Sequence, residues 1–151
     1  MKRIFLLVLT VIAIASISPA MAGLFAGYAG HPWGSDLHVI MKEFPGGTIG
    51  SSGTMVIYRQ MQPTERIKQR MFGFTNNKLS AVSVTFEGNY VKKKGVDAVL
   101  AEHKIYYGEG KMDKSKAPHT VSYIWENAST RINFTYAPNH PEMCVVNYSA
   151  K

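Results

Sequence analysis

Two stretches of strict alternation limit this chain more than any other feature. Ile132, Phe134 and Tyr136 alternate with Arg131, Asn133 and Thr135, and Val82, Val84 and Phe86 alternate with Ala81, Ser83 and Thr85. Successive side chains of a strand point to opposite faces, so each stretch has one face for a core and one for water. That pattern suits an antiparallel sheet covered on one side only. Four more segments read as strands: 54–61, 67–74, 120–126 and 143–149. Asn76-Asn77 lies between two of the strands, and Asn tolerates positive φ, so it predicts a hairpin turn.

Two segments carry helical spacing instead. In residues 35–44, Leu37, Ile40, Met41 and Phe44 fall at i, i+3, i+4 and i+7, behind Ser35 as the expected N-cap, and Pro45-Gly46-Gly47 stops the helix. In residues 89–107, Val96, Val99, Leu100 and His103 share a face, and Gly108 suits the position after the last turn. Gly95 weakens the first turns, so this helix is expected to start near Val96. The Gly- and Ser-rich residues 46–53 and the polar residues 108–118 read as loops. The order is helix, three strands, helix, three strands. The expected fold is therefore α+β: two α-β-β-β units, residues 33–88 and 89–151, forming one antiparallel sheet with both helices on one face.

The N-terminus points to export. Lys2 and Arg3 precede an apolar run from Ile4 to Ile17, and Ala20-Met21-Ala22 is a small-x-small box. This reads as a signal peptide over residues 1–22, cut after Ala22, with a periplasmic or secreted product. The run falls short of the roughly 20 apolar residues of a membrane-spanning helix, so no transmembrane anchor is expected after cleavage. Cleavage would leave 15 basic against 10 acidic residues, a mildly basic balance. The basic residues are scattered and form no nucleic-acid-binding module, so nucleic acid is not an expected partner.

The layout resembles small exported helix-plus-hairpin families. Trp33-Gly34-Ser35, the short helix, Phe44-Pro45-Gly46 and the hairpin at Phe74-Thr75-Asn76-Asn77-Lys78-Leu79 carry the resemblance, with a second half of similar plan bearing Trp125. The outer-membrane assembly lipoprotein BamE family and the tandem-repeat β-lactamase inhibitor protein family are the two it is similar to. The chain lacks the lipid-anchor Cys of the first and the disulfides of the second. What the resemblance implies is an architecture and a way of working, protein binding without catalysis.

No local motif supports an enzyme. There is no G-x-S-x-G elbow, no grouping of carboxylates, and one cysteine in the whole chain. Cys144 sits in a strand pattern, where a free thiol is expected to be buried and inert. A lone thiol in an exported protein also offers a cross-link between two copies, so a homodimer is a second arrangement. The sharpest chemical alternative is a metal or hydrolase site made of His140, Glu142 and Cys144, spaced by two along a strand. Pro141 interrupts that strand, and no cofactor is otherwise expected. For binding, the candidates are Tyr123, Trp125 and Arg131. The first two share a strand face, either in the core or beside Arg131 on the open side. The open placement would form the aromatic and arginine cluster favoured at interfaces. The expected partner is a protein of the cell envelope.

Overall fold

The computed structural model describes residues 26–151; the signal peptide and its cleavage point lie outside them. The elements are β1 (Gly27–Tyr28), β2 (His31–Pro32), α1 (Leu37–Glu43), β3 (Thr48–Ser52), β4 (Met55–Thr64), β5 (Ile67–Thr75), β6 (Lys78–Phe86), α2 (Gly88–Lys94), α3 (Val96–Tyr107), β7 (Lys111–Asp113), β8 (Val121–Glu126), β9 (Thr130–Ala137) and β10 (His140–Ala150). Strands β3 to β10 form one antiparallel sheet in the order β3-β4-β5-β6-β10-β9-β8-β7. The fold is α+β, as the alternation requires.

The sheet has an internal two-fold plan. Each unit runs helix first and then as a meander of four strands, and the units meet along their last strands, β6 and β10. Val84 faces Val146 there, with Val82 opposite Tyr148 and Thr85 opposite Val145. Outward from this junction, β5-β4-β3 lie on one side and β9-β8-β7 on the other. Each unit thus has one strand more than its alternation predicts. The extra strands, β3 and β7, come from the two segments expected to be loops. Gly and Ser pack poorly on a pleated surface, so β3 carries little strand signal of its own. It forms because it folds back on β4 through a tight turn at Gly53, where φ is 58°.

The second helix is two helices. Gly95 adopts φ 85° between α2 and α3, a conformation that costs other residues more than glycine. The first helix is capped by Asp36 rather than Ser35, and without a side-chain capping bond. Asp36 instead pairs with Lys78, at 2.7 Å, tying the helix start to the head of β6. The Asn76-Asn77 turn is as expected, with φ 52° and 60°.

One core lies between the helices and one face of the sheet. Ile40, Val91, Val99 and Leu100 supply the helical side, and Phe72, Val82, Val84, Ile132, Phe134 and Val146 the sheet side. Tyr28 seals one end, its ring 5.0 Å from that of Tyr148 and 5.9 Å from that of Phe72. Trp33 Nε1 donates to the hydroxyl of Thr130, at 2.7 Å, and fastens the lead-in segment across the sheet.

Candidate binding face

Among the described residues, helices cover one side of the sheet and leave the other bare. Cross-strand register names its residues. Ser83, Asn147 and Asn133 stand in a row across β6, β10 and β9, and Thr85, Val145, Thr135 and Ser122 form the next. The row is hydrogen-bonded within itself: the Ser122 and Thr135 hydroxyls are 2.8 Å apart, and Thr135 donates to Asn133 Oδ1 at 3.1 Å. Toward β3 the face becomes apolar, with Ile57 and Met71 beside Arg59. The bare face therefore combines a central polar strip with an apolar flank. Three concavities mark it: about 480 Å³ between β3 and β5, about 450 Å³ beside Thr85, Val145 and Thr135, and about 250 Å³ over Ser122, Arg131 and Asn133.

Parity on residues 131–137 places Arg131, Asn133 and Thr135 on this face, and the structure agrees. It does not bring Tyr123 and Trp125 to join them. Tyr123 pairs with Phe134 and Trp125 with Ile132, so both rings share the covered side with those core residues. Trp125 is 4% exposed; its Nε1 donates to the Gly108 carbonyl at 2.8 Å and its ring lies 5.9 Å from that of Tyr107. A side chain on Gly110 would meet the indole at 2.6 Å, so glycine is needed to let the backbone pass over it. The expected aromatic and arginine cluster is thus not formed. Arg131 stands without the aromatics, 3.8 Å from the Glu126 carboxylate, which Lys151 also approaches at 3.3 Å.

The alternative site also comes apart. His140 and Glu142 are close, Nδ1 to Oε1 3.6 Å, and Lys92 lies 3.8 Å from the same carboxylate. The Glu142 carboxyl is held below the usual range, first by its own backbone N–H and then by the nearby Lys92 and His140 side chains. Cys144 is elsewhere. A register shift in the β10–β9 ladder falls between His140 and Cys144, and the thiol faces the core opposite Tyr136, fully buried. Burial pushes its pKa up to about 12, so the free thiol stays protonated at neutral pH and is a poor nucleophile. The same burial keeps it from cross-linking two folded copies. Among the described residues, no group of three or more His, Cys, Asp and Glu is placed to hold a metal ion.

His103 is packed among core rings, 5.1 Å from Phe134 and 6.0 Å from Phe86. Its Nδ1 sits 2.8 Å from the Val99 carbonyl, which can only accept, so Nδ1 carries the proton. Burial lowers its pKa, against a smaller opposing effect of that hydrogen bond. The folded state then resists protonation that the unfolded chain accepts near pH 6.5. Stability is expected to fall as pH drops below that value and to level off below the folded-state pKa. Urea unfolding at pH 7 and pH 5 checks this. The His103→Gln variant should lose less stability over that interval than the parent; an equal loss would assign the acid sensitivity to other groups.

The class defined by this geometry is a half-open α+β sandwich: a two-unit antiparallel sheet, one face under helices and one bare. No known protein family and no curated protein matches the sequence. Among solved structures, the chain is similar to a DUF4309 family protein, YjgB, from Bacillus subtilis subsp. subtilis str. 168. The likeness has a TM-score of 0.51 at 13% identity over 78% of this chain and 79% of that one. At that identity it is a likeness of fold.

Proposed function

We propose that the chain is an exported accessory protein of the cell envelope that binds another protein across the bare face of its sheet and carries no catalytic centre of its own. The observation behind this reading is the face itself: a sheet of eight strands with hydrogen-bonded polar rows, an apolar flank and three shallow concavities. An uncovered face of mixed character is the composition of ordinary protein interfaces. Export is supported by Lys2-Arg3, the apolar run and the Ala20-Met21-Ala22 box.

The test is site-specific photo-crosslinking in cells that express the full chain. A photoreactive residue replaces Ser83 or Asn133, on the bare face, or Ile105, exposed on the helical side. Protein adducts are expected from the first two positions and not from Ile105, on a chain whose intact mass begins at Gly23. Adducts from Ile105 alone would move the interface to the helices. A retained Met1 would remove the envelope.

A further inference from the structure

The two outer strands of the sheet are unlike. β7 has three residues, two of them charged, and runs into Lys114-Ser115-Lys116. Charges and shortness are how proteins keep a free edge from pairing. β3 (Thr48-Ile49-Gly50-Ser51-Ser52) has no charge and no proline, pairs with β4 without a bulge, and is exposed along its whole length. It is also held firmly. The Tyr58 hydroxyl accepts the Gly47 N–H at 2.8 Å and donates to the Phe44 carbonyl at 2.6 Å, and Gln60 Nε2 donates to the Pro45 carbonyl at 2.8 Å. A side chain on Gly47 would strike the Tyr58 ring at 2.5 Å, so the approach to β3 is closely fitted. On its outer side, alternate residues of β3 present unpaired N–H and C=O groups.

Beside this edge, on the bare face, lies the concavity of about 480 Å³ lined by Thr48, Gly50, Ser52, Ile57, Arg59 and Met71. Ile57 and Met71 give it apolar walls, Thr48 and Ser52 add hydroxyls, and Arg59 brings a charge. That guanidinium is exposed and, among the described residues, has neither an acidic partner nor a side-chain hydrogen bond. A Cβ on Gly50 would meet nothing within 4 Å, so the rim is open at that point.

We propose that β3 is where an extended segment of the partner protein adds to the sheet as a further antiparallel strand. Its backbone groups pair with the outer side of β3, an apolar side chain lies over Gly50 toward Ile57, and a carboxylate meets Arg59. This rests on the reading of the chain as a binding protein and names the kind of segment it takes: extended, apolar and acidic in alternation. A second copy fits less well. An isologous β3 pair would set Gly50 against Gly50 and leave both Arg59 side chains without a counter-charge.

The probe is the synthetic peptide Thr-Val-Thr-Glu-Thr-Val-Thr, added at up to about 1 mM to the isotope-labelled chain and followed by amide NMR shifts and hydrogen exchange. The expected result is shifts and slowed exchange at residues 48–52 and at Arg59, with little change at β7. Binding should weaken at least about tenfold with Arg59→Gln, with Gly50→Glu, and with the peptide whose Glu is replaced by Lys. Gly50→Glu has room to fold and sets a carboxylate beside the groove. No response at β3, or equal binding of the Glu and Lys peptides, would overturn the proposal. Protection of β3 that rises with protein concentration alone would also overturn it, in favour of a second copy. The bare-face reading is judged separately: adducts at Ser83 and Asn133 with a silent β3 would leave that reading standing and remove this one.

Discussion

Replacing Phe134 with alanine is expected to cost about 3–5 kcal/mol, the range for emptying a buried aromatic site that cannot collapse. The ring is 0% exposed. It sits on β9 between Tyr123 and Val146 in register and meets the His103 ring at 5.1 Å with a 64° tilt. All of its neighbours are themselves held by the sheet or by α3, so few atoms are free to fill the space. Urea unfolding measures the loss as a lower midpoint at unchanged slope. Ile105→Ala is the control. That side chain is 78% exposed on the outer face of α3 and its removal should change stability by no more than about 0.5 kcal/mol. A loss below about 1 kcal/mol at Phe134 would mean that the helices do not close over β9 as described.

Cys144 is expected to resist alkylation in the folded protein. Its pKa of about 12, against an ordinary 9.0, leaves about a thousandfold less thiolate at pH 8. Steric burial adds to this, since the residue is fully enclosed. Iodoacetamide labelling followed by mass should therefore be at least about 10³-fold slower in native buffer than in denaturing urea. Rapid native labelling would put the thiol back at the surface and reopen chemistry with His140 and Glu142.

What could be read in advance followed the strength of the packing signal. Ile132, Phe134 and Tyr136 face a helix-covered core, and their alternation is clean because the other side of β9 is wet. Asn76-Asn77 was readable because few residues accept positive φ twice in succession. Strands β3 and β7 were not readable, since an edge strand owes its existence to one neighbour and little to its own side chains. Trp125 was ambiguous for a different reason. Val121, Tyr123 and Trp125 make one apolar set, but Ile124 sits on the other, and only the register against Ile132 decides between them. The apolar flank of the bare face was hidden likewise, because Ile57 and Met71 blur the alternation of their strands. Arg70 shows the limit most plainly. Parity puts it on the covered side with Gln60 and Val84, where its guanidinium lies over the Phe44 ring at 5.0 Å and its Nε is buried without a hydrogen-bond partner. No sequence pattern assigns a lone arginine to a place among aromatic rings.

The position of β10 also sets a timetable. It comes last in sequence among the described strands, yet it lies inside the sheet, with β6 on one side and β9 on the other. Until it arrives, each half presents a long raw margin: β6 in the first, β9 in the second. Neither margin can be satisfied by anything made earlier. A growing chain therefore has no finished sheet to settle into until β10 emerges, and the two halves are joined by contacts of high sequence separation, the kind that form slowly. The same arrangement makes β10 the keystone: losing it removes the strand that joins the two halves.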